Sequence, residues 1–253
     1  MGFYDLSKIE RERLVADIRN AIIDDLHHSS VVAIKRYFSD EDTYVRKAAY
    51  TVTGKLFNTD SSLKLKILET IKAMLSSENE KERQTAMNAA GEIGKTDFES
   101  VCEFFDFALF DKHHIVRNAV IGSLKKVGAK NPKPALEWAK KYLHHPNKEV
   151  RREICHGIEL RGRTHPQDIL PLLKELQFDK TSRVRNTLIH VLGQIAYKKG
   201  CLATVVSSLS NWENRELVEK AMDEIVDVHS RYKSFAAMTQ SEAIEYIDRH
   251  YTP

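Results

Sequence analysis

The chain has 253 residues with 39 Lys+Arg, 36 Asp+Glu and a net charge of +3, enough length for one large domain or two small ones. Three cysteines without paired spacing, Cys102, Cys155 and Cys201, argue against a disulfide framework and for a reducing compartment. No apolar run approaches the ~18 residues of a membrane span. The early charges of MGFYDLSKIERERL do not suit a secretory signal, and Leu6 stands where a myristoylation motif needs Ser or Thr, so a soluble, cytoplasmic protein is expected.

In chain order, Ser7 and Glu10 have capping-box spacing, and Ile9, Leu14, Ile18, Ile22 and Ile23 recur at helical intervals. The pattern predicts a capping helix over about 7–26, broken by His27-His28-Ser29-Ser30. Helical hairpins follow. The first helix of each is expected near 30–38, 62–76, 98–110, 134–144, 167–177 and 200–210. The second is expected near 42–56, 80–94, 115–129, 148–162, 182–197 and 214–228. The joints are short and polar (SDED, SSENE, DKHH, HPNKE, DKTS, NWEN), which demands antiparallel neighbours. Asn58-Thr59-Asp60, Asn131-Pro132, His165-Pro166 and Lys199-Gly200 break the chain between hairpins. A connector over 230–238 leads to a last amphipathic helix through Ala243, Ile244 and Ile247. No strand pattern stands out, so the fold class is all-α.

A fixed register runs through the second helices. Arg117, Arg151 and Arg185 are 34 residues apart, Arg83 lies 34 before Arg117, and Arg46 lies 37 before Arg83. One further step of 34 reaches Glu219, where the Arg is lost and the apolar pattern persists. Such a period marks stacked helical hairpins. Asp40, Asp111 and Asp179 each sit six residues before an Arg. They are expected to accept from N–H groups opening the next helix and to meet the Arg fork of their own or an adjacent repeat. Ser77, His145 and Glu213 occupy that position elsewhere, so the Asp–Arg ladder is expected to be discontinuous.

The Asp-x5-Arg spacing, Val before the Arg and small or apolar residues after it resemble HEAT repeats over roughly 30–228. The resemblance implies a right-handed armadillo-type α-solenoid: a single domain over 1–253, with a cap over 1–28, repeats over 29–228 and a connector and helix over 229–253. Arg+3 and Arg+4 positions such as Ala49, Tyr50, Val120, Ile121, Ile154, Cys155, Leu188 and Ile189 are expected in the core. Arg+1, +5 and +8 positions share another face, predicted to be the concave wall. That wall would carry Gln84, Asn118, Arg152 and Asn186 in one row and Asn88, Gly122, His156 and His190 in the next. Lys125, Lys126, Lys130 and Arg163 would add cations at its margin.

Residues 101–200 hold 19 Lys+Arg against 10 Asp+Glu and seven of the eleven histidines, a basic middle suited to a polyanion. Short-chained Asn, Gln, His and Gly let another surface approach closely. The histidine pairs 27–28, 113–114 and 144–145 lack any metal-motif company, so neither metal nor cofactor is expected.

A basic HEAT-like solenoid ending in an extra helix is also similar to the alkylpurine DNA glycosylases built from HEAT-like repeats. That resemblance puts Arg152 where the family contacts DNA backbone. Asn118 falls at its essential Asp, His190 at one groove Trp, and His114 or Ile115 at the other aromatic. Trp138 and Trp212 lie away from the predicted groove. A neutral Asn cannot balance an oxocarbenium-like charge, which leaves Glu159, and less well Glu153, as substitute carboxylates. The leading expectation is a non-catalytic binding protein whose ligand is nucleic-acid backbone or an acidic protein segment. The alternatives are an altered glycosylase and a scaffold working from its first-helix side.

Overall fold

The structure is a computed structural model describing residues 2–251. Met1, Thr252 and Pro253, included in the expected terminal segments, lie outside the described residues. The chain forms two compact units, Met1–Asn131 and Pro132–Pro253, divided at the Asn131-Pro132 breaker. The described residues are helical with no strand.

The first unit contains α1 (Lys8–His28), α2 (Val32–Phe38), α3 (Thr43–Thr59), α4 (Lys64–Leu75), α5 (Glu80–Gly94), α6 (Cys102–Ala108) and α7 (His114–Lys130). The capping helix α1 packs on α3, and the second helices stack in sequence, α3 on α5 and α5 on α7, with α2, α4 and α6 against them. The Ser7–Glu10 capping box starts α1. The helix continues through His27 and His28, contrary to the expected break. It stops only where Ser29 adopts φ 55°, a left-handed cap whose N–H bonds to the Asp25 carbonyl. Two exposed histidines near a helix C-terminus suit its dipole, so nothing there ends it. Ile9, counted on the apolar stripe, is 71% exposed; Ile18, Ile22 and Leu26 carry the burial.

The second unit contains α8 (Pro132–Leu143), α9 (Lys148–Gly157), α10 (Glu159–Gly162), α11 (Pro166–Lys174), α12 (Ser182–Ala196), α13 (Leu202–Leu209), α14 (Arg215–Arg231) and α15 (Gln240–His250). Here α9 packs on α12 and α12 on α14, while α15 closes on α13 and α14. The predicted helix over 148–162 is interrupted at Ile158, just after Gly157, a weak helix former. Thr239 and Glu242 form the capping box that starts α15. Trp138 and Trp212 are core side chains.

The residue that caps α3, α5, α7 and α9 is not the one the spacing suggested. Asp42, Asn79, His113 and Asn147, four before their arginines, accept from the N–H two residues on. Asp40, Asp111 and Asp179 instead accept the joint N–H of Asp42, His113 and Thr181. The physical reason is reach: a short carboxylate six residues back lies outside the first turn. The arginines do two jobs. Nη1 of Arg46, Arg117 and Arg185 donates to the carbonyls of Asp40, Asp111 and Asp179 at 2.5, 2.7 and 2.6 Å. Arg83 and Arg151 make the same bond to the Ser77 and His145 carbonyls, so this clamp needs no particular side chain at the joint. Their remaining nitrogens reach the next joint. Arg83 forks onto Asp111 at 2.8 and 3.1 Å, and Arg151 onto Asp179 at 2.5 and 3.0 Å.

The Arg+8 row also departs from expectation. Gly54, Gly91, Gly193 and Glu159 are buried, not on an exposed wall. A Cβ on Gly91 would sit 2.3 Å from Ser123 Oγ and 2.5 Å from its Cβ, so glycine there lets α5 and α7 approach closely. Arg+3 and Arg+4 positions are core, with Tyr50 and Ile189 half-buried.

Arg83 and Asp111 side chains are 5% and 6% exposed. Burial pushes the Asp111 carboxyl up, but the Arg83 fork and the His113 N–H outweigh it, and the net shift is downward; Asp179 behaves alike with Arg151 and Thr181. A depressed folded pKa contributes stability that is complete above the ordinary Asp value of ~3.9 and disappears as pH falls through the folded value. Asp111→Ala should therefore cost about 3–5 kcal/mol in urea unfolding at pH 7. Asp40→Asn, where no cation among the described residues pairs with the carboxylate, should cost under ~1 kcal/mol. The acid loss of stability should be shallower in Asp111→Ala than in wild type.

Candidate functional site

The second unit gathers a polar cleft of about 400 Å3 lined by Arg152 and His156 of α9 and Ser182, Arg183, Asn186, Thr187 and His190 of α12. The 34-residue register is what brings these together: equivalent positions of successive second helices become neighbours when α9 packs on α12. The rings of His156 and His190 lie 6.0 Å apart. Arg152 Nε donates to Glu149 Oε2 at 3.0 Å, its Nη2 lies 3.5 Å from Glu153 Oε1, and Arg183 Nη1 lies 3.2 Å from the other oxygen of Glu149. One carboxylate thus holds two guanidiniums at the rim, and Arg183 remains 62% exposed. Thr181, which opens α12, makes no side-chain cap; its hydroxyl accepts from Arg151 Nη2 at 3.4 Å.

Beneath the cleft, the turn at Ile158 aims Glu159 inward. Its side chain is 2% exposed, with Oε2 3.0 Å from His156 Nε2 and Oε1 accepting from Arg163. Arg163 Nη2 also donates to Gln194 Oε1 at 2.9 Å. Arg163 is therefore spent on an internal ion pair and does not line the cleft. Glu159 is likewise remote from solvent.

The other sequence candidates sit in the first unit. Gln84 and Asn88 are half-buried on α5; Asn118 is exposed and Lys125 half-buried on α7. Lys126 lies 3.3 Å from Glu92 Oε1 and 5.3 Å over the Tyr50 ring. Ser182, Arg183 and Thr187 were not singled out in the sequence, although Arg183 stands two residues before the register arginine. His156, Glu159 and His190 offer ligand atoms within 4.8 Å of one another, a grouping that a search confined to adjacent histidines misses.

No family model and no curated protein sequence matches the chain. Among solved structures it resembles AlkD2 from Streptococcus mutans at 18% identity and TM-score 0.55, over 74% of this chain and 92% of that one. It also resembles a chain of the Pds5-Scc1 complex at 15% identity and TM-score 0.50, over 97% of this chain and 42% of that one. An archaeal HEAT-like repeats protein from Thermococcus onnurineus NA1 aligns at 19% identity and TM-score 0.40, over 88% of this chain and 98% of that one. The fold is that of HEAT- and armadillo-like repeat proteins, an all-α solenoid of helical hairpins. Among the described residues no helix is long and apolar enough to cross a membrane.

Removing the Glu159 charge leaves the Arg163 guanidinium without its counter-ion, so Glu159→Gln should lower stability by about 1–3 kcal/mol in chemical denaturation. Asn186→Ala, at an exposed position of the cleft, should stay within about 0.5 kcal/mol of wild type.

Proposed function

We propose that this chain is a non-catalytic repeat protein that binds a polyanion, in the first instance a nucleic-acid backbone, through the cleft between α9 and α12. The observation that carries the reading is the convergence of Arg152 of α9 with Arg183, the Ser182 hydroxyl and the Asn186 amide of α12, four donor-bearing side chains lining one cleft. Guanidinium forks match phosphate oxygens in geometry as well as charge. The first turn of α12, without a side-chain cap, adds backbone N–H groups and the positive end of a helix dipole. Glu149, ion-paired with both arginines, is the carboxylate that an incoming anion would displace. The similarity to a chain of the Pds5-Scc1 complex supports a protein segment as the competing ligand, and the cleft arginines would select an acidic one.

Duplex-DNA affinity measured against salt tests this. Binding should weaken steeply as salt rises, and Arg152→Ala or Arg183→Ala should each weaken binding across sequences and reduce the log–log slope by about one. Lys125→Ala, on the first unit, asks whether that unit contributes. Glu149→Gln should strengthen binding several-fold. No binding at micromolar protein, or binding indifferent to salt, sinks the nucleic-acid version; binding of a polyglutamate peptide alone would point to an acidic protein segment.

A second reading, a base-excising enzyme of the alkylation-repair type, is favoured by Arg152 occupying the cleft. It requires a carboxylate at the reacting sugar, and Glu159 is sequestered by Arg163 and His156. Release of an alkylated base by the wild type, lost in Glu159→Gln, would establish it.

A further inference from the structure

The floor of the same cleft gathers a second set of groups, whose chemistry can be tested with nothing bound above it. His156 and Glu159 are three residues apart across the Ile158 turn, and their Nε2 and Oε2 atoms already stand 3.0 Å from each other. His190, at the register position equivalent to His156, completes a set whose ligand atoms all lie within 4.8 Å. Two imidazoles and one carboxylate are a borderline donor set suited to zinc. Around a tetrahedral ion at ~2.1 Å from each donor, ligand atoms stand about 3.4 Å apart. The His156–Glu159 pair, at 3.0 Å, has to open by only about 0.4 Å. His190 has to close in by about 1–2 Å, and its side chain is 43% exposed.

The surroundings support the donors in the way ligating groups are supported. Glu159 Oε1 is held by Arg163, which is itself fixed by Gln194. His190 Nδ1 lies 3.5 Å from Glu224 Oε1, and Arg231 Nη2 fixes that oxygen at 2.8 Å. A carboxylate behind Nδ1 selects the tautomer that leaves Nε2 for a metal. Gly193 has a part in this, because a Cβ there would lie 2.7 Å from Glu224 Cγ. Both histidines line the cleft while the carboxylate lies beneath, so an ion held by all three would turn its remaining coordination position toward Arg152 and Arg183.

We propose that His156, Glu159 and His190 form a three-ligand site for Zn2+ whose open position faces the cleft and takes water or an anionic oxygen. The probes are Zn2+ and Co2+ alone, titrated into chelator-treated full-length protein, with no polyanion present. Failure here therefore leaves the polyanion reading standing, and the reverse also holds. One ion per chain should bind, and Co2+ should give the intense visible bands of a four-coordinate site. His190→Ala and His156→Ala should each lower Zn2+ affinity more than about 100-fold, and Glu224→Gln, which leaves every ligand in place, by about 10–100-fold. Zn2+ should raise the Tm of the wild type and leave those of the two histidine variants unmoved. Absence of saturable binding at micromolar Zn2+ overturns the proposal. So does binding that survives both histidine substitutions in chains whose circular dichroism is native, since the ion would then sit on the exposed histidine pairs.

Discussion

Five hairpins of this chain are set by one bond, the donation from the register arginine back to the carbonyl six residues earlier. Nη1 of Arg46, Arg83, Arg117, Arg151 and Arg185 makes it in every case. A joint of four or five residues has carbonyls that no helix satisfies, and leaving them bare beside a packed helix costs free energy. The guanidinium satisfies them and, because its fork is planar and rigid, fixes the direction in which the second helix leaves the joint. The bond uses only backbone, so the residue at the joint is free to change, and Ser77 and His145 do no harm there. At Asp111 and Asp179, though not at Asp40, a second bond forms to the arginine of the preceding repeat. One such buried pair lies in each compact unit, Arg83–Asp111 and Arg151–Asp179. The joint before α14 has no register arginine, and there the side-chain amide oxygen of Gln177 instead accepts from the Glu213 and Asn214 N–H groups.

Regular hairpins make equivalent positions on neighbouring helices meet, and the site is a consequence of that. Once α9 lies on α12, Arg+1 and Arg+5 positions fall side by side, which is why Arg152 meets Asn186 and His156 meets His190. The Arg+8 position is closer to the seam between helices, where small residues permit approach. Gly193 there brings Glu224 of α14 up to His190. Glu159 occupies the equivalent seam position after α9. A carboxylate at a seam must be paired to be tolerated, and Arg163 and His156 pair it.

Much of this was legible in the sequence because it is periodic. Positions of the second helices, their core residues and the adjacency of His156 to His190 all follow from the spacing of Arg151 and Arg185. What was misread turned on distances of one helical turn. Asp40, Asp111 and Asp179 stood at the plausible cap position, yet the caps are four residues before the arginines, because an N-cap serves N–H groups two or three residues on. The Arg+8 face was assigned to solvent because its glycines are neither apolar nor large, and a residue without a side chain carries no pattern that separates a seam from a surface. Arg163 looked like a spare cation. Its partner, Glu159, belongs to the same helical segment, but only the turn at Ile158 shows that both point inward. His27-His28 resembled a breaker, although histidine at a helix C-terminus is electrostatically welcome.

The cleft and the cluster beneath it share His156 and His190, so occupation of one bears on the other. A divalent ion at the cluster would add positive charge directly under Arg152 and Arg183 and offer an anion a ligand position. An anion in the cleft would in turn offset the repulsion between that ion and the two guanidiniums. By thermodynamic linkage the two effects are equal in free energy, whichever ligand arrives first. Stripping the ion with a chelator therefore separates the two: anion affinity that falls on chelation runs through the metal, and anion affinity that is unchanged runs through the arginines.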